Sequence, residues 1–89
     1  MATVFVRSRV ADFEVWKRFF EGHAEFRASQ GATGEAVYQL DSDLNDVTVV
    51  VDFGSMEVAK AFAMNPELQA RMAESGVVSP PDVWFTERV

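Results

Sequence analysis

The side chains best suited to chemistry lie close together on the first predicted helix. His23, the only histidine, and Arg27 are four residues apart, which makes them neighbours on one helical face. Both fall within or at the edge of the apolar stripe of that helix, so both should point toward the sheet. A histidine can transfer a proton and an arginine can hold an anion. The spacing predicts a cavity between helix and sheet where His23 acts as acid or base and Arg27 stabilises a substrate anion or enolate.

Each of these two side chains also has a purely structural interpretation. A neutral His23 could donate one hydrogen bond to a strand or backbone carbonyl. Arg27 could form a salt bridge or extend toward solvent near the helix end. Because a cation buried against a core is unfavourable unless it is paired, internal satisfaction is a serious alternative to catalysis for both residues.

Three aromatic side chains are candidate walls of the predicted cavity. Trp16 and Phe20 belong to the apolar stripe of the first helix and are predicted to bind substrate. Tyr38, the only tyrosine, lies in the second predicted strand on the same side as Ala36 and Leu40. We expect its hydroxyl to donate into the cavity, the alternative being an ordinary half-buried aromatic residue of a sheet.

The composition excludes several classes of function. With 14 acidic against 8 basic residues and a net charge of −6, the chain has too few cations for a nucleic-acid interface or an anionic membrane surface. With no cysteine, it has no disulfide and no thiolate ligand or nucleophile. No cluster of metal ligands and no glycine-rich phosphate loop is present, so we expect neither metal nor cofactor. Without a signal peptide or a long apolar run, we expect a cytoplasmic domain.

The order of predicted elements is β-α-β-β-α-β, which is the ferredoxin-like pattern of a four-stranded antiparallel sheet with helices on one face. We expect residues 1–89 to form one domain of this α+β class. Asp12, Ser55 and Asn65 are predicted N-caps, and Gly31 and Gly76 are predicted helix ends. The expected strands are 3–10, 35–41, 47–53 and 83–86, the expected helices are 13–30, 55–64 and 66–75, and the polar segment 41–46 is a predicted hairpin turn.

Three of the four predicted strands are apolar on both faces, as Phe5, Val50 and Trp84 oppose the valines beside them. Two helices cover only one face of such a sheet, and a solvated face should carry polar residues instead. We therefore predict a homodimer that packs sheet against sheet. On the strands, Arg7 or Arg9 is expected to pair with Asp52 across the ladder.

A set of residues and short motifs spread over nearly the whole chain carries a family resemblance: Trp16–Phe20, His23, Arg27, Asp43–Asn45, Val47–Phe53, Ala61–Phe62, Pro66–Leu68, Met72, Gly76–Val77 and Pro81–Val83. In these the chain resembles the dimeric α+β barrel superfamily, and within it the small proteins akin to antibiotic-biosynthesis monooxygenases and polyketide cyclases. The resemblance implies dimerisation through the sheets and an aromatic or polyketide-like substrate held between sheet and helices. It also implies chemistry that several such proteins perform without metal or flavin, through the carbanion of the substrate.

Two functions follow as hypotheses. The first is a cofactor-independent enzyme, either a cyclase or isomerase acting on an enolisable substrate or a monooxygenase. The second is a dimeric ligand-binding or assembly module without catalysis. A cavity of at least about 300 Å³ lined by His23 and Arg27 would favour the enzyme, and close packing against an internal partner would favour the module.

Overall fold

The computed structural model describes residues 1–89, which form one antiparallel sheet in the strand order β2-β3-β1-β4, with the helices on one side of it. This is the predicted ferredoxin-like architecture, with each of the two helical segments divided in two. The elements are β1 (Ala2–Arg9), α1 (Phe13–Gly22), α2 (Ala24–Ser29), β2 (Ala32–Leu40), β3 (Asp43–Phe53), α3 (Met56–Ala63), α4 (Pro66–Glu74) and β4 (Asp82–Glu87).

The predicted helix starts are confirmed, because each cap side chain satisfies a free N–H of the first turn. Asp12 accepts from the N–H of Val15 and Ser55 from that of Val58. Asn65 caps α4, whose first residue is Pro66. Side-chain caps of this kind stabilise a helix by about 1 kcal/mol each.

The first helical segment differs from the prediction, which treated residues 13–30 as one helix. The structure ends α1 at Gly22 and begins α2 at Ala24, with His23 serving as the cap of both. The backbone of His23 leaves helical geometry at φ −109° and ψ 16°. A glycine just before this position lowers the local helix propensity, which helps to explain a break at this point.

The hairpin between β2 and β3 is tighter than predicted. Strand β3 begins at Asp43 instead of Val47, and Leu40 already pairs with Asp43, so the turn contains only residues 41 and 42. Polar side chains hold the extended pairing, since Asp43 accepts from the N–H of Asn45 and the Asn45 side chain accepts from the N–H of Phe13. Strand β2 likewise starts earlier than expected, at Ala32.

The arginines of β1 pair with aspartates near the start of β3, and the predicted partner, Asp52, instead accepts a hydrogen bond from Thr3. Arg7 donates from two nitrogens to Asp46, at 3.0 and 2.7 Å, and Arg9 pairs with Asp43. The hydrogen bond from Arg7 lowers the pKa of Asp46, and that from Arg9 lowers the pKa of Asp43. The register explains why Asp52 bonds to Thr3 and not to an arginine, because Thr3 lies opposite Asp52.

The helix-facing side of the sheet carries a core in two parts. One part is built around Phe53 and Phe62, and the other around Trp16, Val10 and Val47. Burying a side chain of this size stabilises the fold by about 1.5–3 kcal/mol. The space between the two clusters is where a cavity lies.

The opposite side of the sheet carries an apolar row that no part of the chain covers. The register places Phe5 opposite both Val50 and Trp84, and Val50 opposite Ala36, so the four side chains cross the sheet in one line. Trp84 remains 49% exposed. None of the helices has the length and apolarity needed to cross a membrane.

Candidate functional site between the helices and the sheet

The space between the two core clusters is a cavity of about 110 Å³ that opens toward solvent. It adjoins a second cavity of about 350 Å³ on the β4 side, and the two have Val6, Phe62 and Met72 among their shared walls. Together they form a cleft beneath α4, with mostly apolar walls. The polar or charged side chains that reach the smaller cavity are those of Ser8, His23, Arg27, Arg71 and Ser75.

Helix α4 is the outer wall of this cleft and contains no buried residue. Its two ends are nevertheless fixed. The Asn65 side chain donates to Gln30 at 3.1 Å, and beyond its C-terminus Val77 forms a β-bridge with Val10. The helix is thereby held over the sheet without filling the space below it.

His23 lies on the cleft wall with one ring nitrogen free. Its Nδ1 is 2.7 Å from the carbonyl oxygen of Phe19, and its ring stacks on the Phe19 ring with centroids 4.2 Å apart. Because a carbonyl only accepts, Nδ1 carries the hydrogen, and in the neutral ring Nε2 is then an acceptor. Nε2 makes no hydrogen bond within the protein and is not sealed from solvent. The backbone bond foreseen for His23 is therefore present, yet it leaves an available base.

Arg27 is engaged by an internal partner. Its Nε and Nη2 donate to the two carboxylate oxygens of Glu35, at 2.6 and 2.9 Å, and its Nη1 donates to the carbonyl of Phe20 at 2.8 Å. The guanidinium also lies 3.6 Å from the centroid of the Phe20 ring. Its side chain is only 7% exposed. Arg27 thus matches the salt-bridge interpretation, and Glu35 neutralises its charge within the cleft wall.

The structure brings Trp16 and Phe20 to the cleft, as expected, with stacked rings 5.1 Å apart. It does not bring Tyr38 there. Tyr38 pairs with Thr48 on the opposite face of the sheet and is 60% exposed, so the predicted contact of its hydroxyl with the cavity is wrong. The reason is the strand parity: Glu35 and Val37, not Tyr38, share the face of the helix-facing valines of β3.

Arg71 is a cleft residue that the sequence interpretation missed. Its guanidinium lies 4.2 Å from the centroid of the Phe26 ring, and Nη2 donates to Glu67 at 2.7 Å. Its Nε is buried and has no hydrogen-bond partner. The spacing of Leu68, Arg71, Met72 and Ser75, at i, i+3, i+4 and i+7, was the available signal that Arg71 faces the sheet.

No three histidine, aspartate or glutamate side chains lie close enough together to hold a metal ion. What the arrangement offers is an apolar slot with one unpaired imidazole nitrogen, one neutralised arginine and one partly paired arginine. Such a slot can hold a flat apolar molecule and accept a proton from it.

Comparison with solved structures places this fold among known proteins, although no protein-family model and no curated sequence matches the chain. The antibiotic biosynthesis monooxygenase-like protein of Bordetella bronchiseptica superposes with a TM-score of 0.85 and 15% identity, over 99% of this chain and 96% of that one. The N63A mutant of SnoaB, a cofactor-independent oxygenase from Streptomyces nogalater, gives 0.80 and 13%, over 98% and 91%.

A third structure, of an antibiotic biosynthesis monooxygenase-like protein from Deinococcus radiodurans, gives a TM-score of 0.78 at 8% identity, over 100% of this chain and 93% of that one. At such identities the likeness is one of fold, and it extends from end to end of each chain. The resemblance predicted from the sequence is confirmed at that level. The chain therefore has the ferredoxin-like α+β fold of the antibiotic biosynthesis monooxygenase-like proteins.

Proposed function

We propose that the protein is a small-molecule enzyme of the cofactor-independent oxygenase type, acting on a flat, enolisable, largely apolar substrate in the cleft. The observation that carries this proposal is His23, whose Nε2 is unpaired on the wall of an apolar cavity while Nδ1 is fixed by the Phe19 carbonyl. The fold shared with SnoaB, a cofactor-independent oxygenase, supports the same class of chemistry.

The reaction needs one base and molecular oxygen. Nε2 of His23 accepts a proton from a substrate CH₂ group that is activated by a carbonyl or aromatic ring, leaving a carbanion delocalised as an enolate. One electron passes to O₂ and the radical pair combines, which forms a C–O bond; the returning proton gives a hydroperoxide. Loss of water then breaks the O–O bond and the second C–H bond. The CH₂ carbon is oxidised to C=O, and O₂ is reduced to the new carbonyl oxygen and one water.

The same proton transfer without oxygen would serve a cyclase or isomerase. In that case the enolate carbon attacks a second carbonyl of the substrate or is reprotonated elsewhere, and His23 returns the proton. Oxygen dependence of the product therefore separates these reactions within one site. In all of them Trp16 and Phe20 bind the substrate ring, while Arg27, fixed by Glu35, shapes the wall.

The size of the cleft fits this class of substrate. A 110 Å³ space is smaller than the roughly 150 Å³ cavity that holds one benzene ring. The adjoining space of about 350 Å³ lies within the range of about 300–1,000 Å³ usual for small-molecule sites. A ligand with fused rings would therefore extend from His23 into the larger space beneath α4.

A ligand-binding module without catalysis is the second candidate. The internal pairing of Arg27 with Glu35 favours it, since an arginine so engaged is not free to stabilise a substrate anion. The space lined by both His23 and Arg27 is also below the 300 Å³ expected of an enzyme site. The enzyme and the module would bind the same ligand, and only the enzyme would convert it to product.

Oxygen uptake with anthrone decides between them, because anthrone is a three-ring molecule with a methylene group opposite a carbonyl. We expect uptake above the uncatalysed rate, with one water and one quinone carbonyl formed per O₂. His23→Gln should lower kcat by about 100-fold or more. Tyr38→Phe, a change on the other side of the sheet, is the matched control and should leave turnover unchanged.

Binding of anthrone without oxygen uptake would support the module instead of the enzyme. Equal turnover in wild type and His23→Gln would remove the role assigned to this residue. Uptake that persists in His23→Gln but depends on the folded protein would keep the oxygenase and require another base.

We further propose that the apolar row on the open face packs against a second copy of the chain. The row of Ala36, Val50, Phe5 and Trp84 crosses the whole sheet and has no cover within the chain. Sedimentation at micromolar concentration should give a dimer, and Val50→Glu should give a folded monomer. Met64→Glu, at an exposed helix end, is the control that should remain dimeric. A wild-type monomer would contradict the proposal.

A further inference from the structure

Arg71 has a donor that the folded chain leaves unused. Its Nε is the only buried side-chain nitrogen or oxygen in the structure without a hydrogen-bond partner. Native proteins contain few such atoms, because a buried donor without an acceptor loses its hydrogen bond to water and gains nothing in return. The neighbouring Nη1 also makes no hydrogen bond within the protein and, unlike Nε, is not sealed from solvent. Because Arg71 lines the cavity, a bound molecule could supply an acceptor to this side of the guanidinium.

The charge of Arg71 is also less compensated than that of the other cleft arginine. Arg27 donates from two nitrogens to Glu35, in a pair that is mostly covered. Arg71 has a single bond to Glu67, which is 57% exposed and therefore screened by water. The cleft thus retains positive character on its α4 side.

The position of Arg71 suits a flat ligand. Its guanidinium lies over the ring of Phe26, and both residues line the same cavity as His23. An arginine held in this way against an aromatic ring presents a planar edge, and planar edges favour oxygen atoms of planar anions. The walls around it are apolar, so a charge-assisted hydrogen bond there is stronger than in water.

We propose that Arg71 binds a delocalised oxyanion, an enolate or phenolate oxygen carried by the ring system of the ligand, through the guanidinium nitrogen Nη1, which is unbonded and open to solvent. The inference rests on the proposed binding of a ring compound in the cleft. It adds that this compound carries an anionic oxygen and that it binds in one orientation. The oxyanion lies at α4, and the carbon to be deprotonated lies toward His23. Arg71 thereby takes the anion-stabilising role that the sequence assigned to Arg27.

Two naphthoquinones that differ in one substituent test this assignment. The 2-hydroxy compound is ionised at neutral pH and carries a delocalised oxyanion, whereas the 2-methyl compound has similar size and no charge. By titration calorimetry, we expect the wild type to bind the anion about 10- to 100-fold more tightly, as one hydrogen bond to a charged group implies. The ring signals of His23, the only histidine, report by NMR whether each compound enters this cleft.

Two variants separate the donor from the charge. Arg71→Met keeps an unbranched side chain against Phe26 and should abolish the preference for the anion, while the affinity for the methyl compound changes less than about twofold. Arg71→Lys keeps a positive charge without the planar guanidinium donors and should retain only part of the preference. Glu67→Gln removes the competing carboxylate and should increase the preference.

The outcomes distinguish this inference from the proposed function. Binding of both compounds with equal affinity, or a preference that survives in Arg71→Met, overturns the role of Arg71 and leaves the cleft as a ring-binding site. Failure of both compounds to bind, or binding that leaves the His23 signals unmoved, overturns the cleft and the inference with it. A preference lost in Arg71→Met and partly kept in Arg71→Lys supports the assignment.

Discussion

The two walls of the cleft carry arginines in opposite states. On the α1–α2 wall, Arg27 is 7% exposed at its side chain, is paired through two nitrogens with Glu35 and donates a third bond to a backbone carbonyl. On the α4 wall, Arg71 has one bond to an exposed glutamate and a buried nitrogen with none. Each guanidinium lies over a phenylalanine ring, so the two arginines differ in their pairing and in their burial, the Arg71 side chain being 32% exposed.

The difference in pairing indicates that Arg27 serves the stability of the fold, whereas Arg71 is available for binding. Removing the partner of a buried charge destabilises a fold, and each nitrogen of the Arg27 guanidinium has a partner. A cation with few partners contributes little to stability, and its unbonded donors are available to a ligand. The sequence does not separate the two arginines by type, and only their partners assign them to these roles.

Removal of Arg27 should have the largest effect on stability. Arg27→Met leaves the Glu35 carboxylate partly buried and unpaired. We expect a loss near the lower end of about 3–5 kcal/mol in unfolding free energy, because Glu35 remains about one-third exposed. Urea denaturation followed by circular dichroism measures this.

The double variant Arg27→Met with Glu35→Leu sharpens the same test. Replacing both members of a buried pair with apolar residues of similar size is often nearly neutral. We therefore expect it to recover most of the loss. If the double variant is as unstable as Arg27→Met, the loss of stability does not come from the unpaired Glu35 carboxylate.

The next largest losses of stability should come from alanine substitutions at the glycines that follow α2 and α4, and the two losses should differ. Gly31, after α2, has φ 101°, and an added Cβ would lie 2.7 Å from a methyl carbon of Val58. Gly76, after α4, has φ 87° and no atom within 4 Å of such a Cβ. Gly76→Ala should cost about 1–2 kcal/mol from the backbone conformation alone, and Gly31→Ala should cost more. Equal losses would show that the Val58 side chain moves aside freely.

Arg71→Met should change stability by less than about 1 kcal/mol, because an exposed ion pair contributes little and the lost donor was unpaired. Its thermal unfolding is compared with that of Arg27→Met under the same conditions. A loss as large as that of Arg27→Met would end the contrast between the two walls.

The exposed pairs at the start of β3 should give the smallest effect. The pKa values of Asp43 and Asp46 are lowered by hydrogen bonds from Arg9 and Arg7. Depressed carboxylate pKa values stabilise the fold above the unfolded value of about 4, and this contribution is lost as the pH falls through the folded-state pKa. Thermal melts across that range should show less acid sensitivity in Asp46→Asn than in wild type. An unchanged profile would contradict the assignment.

Local patterns in the sequence were sufficient to predict most of the fold. The caps at Asp12, Ser55 and Asn65 depend on nearby backbone, and their helices begin where predicted. The strand periodicity and the order of elements then give a ferredoxin-like sheet. His23 could be placed for the same reason, since the helical stripe positions it without knowledge of the sheet.

Features that depend on strand register were not predictable. Strand β2 alternates only loosely, with Tyr38 and Leu40 on one face and Val37 on the other, so the sequence alone does not say which side of β2 meets the helices. The sequence pattern predicts the wrong side of the sheet for Tyr38 and does not identify Glu35 as the partner of Arg27. The pattern also predicts an arginine as the partner of Asp52, whose neighbour in the β1–β3 register is Thr3.

Helix α4 has a consequence for how molecules reach the cleft. It buries no residue completely, and apart from the attachments at its two ends it contacts the domain through Leu68 at the core and Arg71 over the Phe26 ring. Segments of this kind open locally at far lower free energy than the whole domain unfolds. Its amide hydrogens should exchange with solvent faster than those of α3, whose Ala59 and Phe62 are in the core. Local opening of α4 would then let a rigid polycyclic ligand enter the cleft while the sheet stays folded.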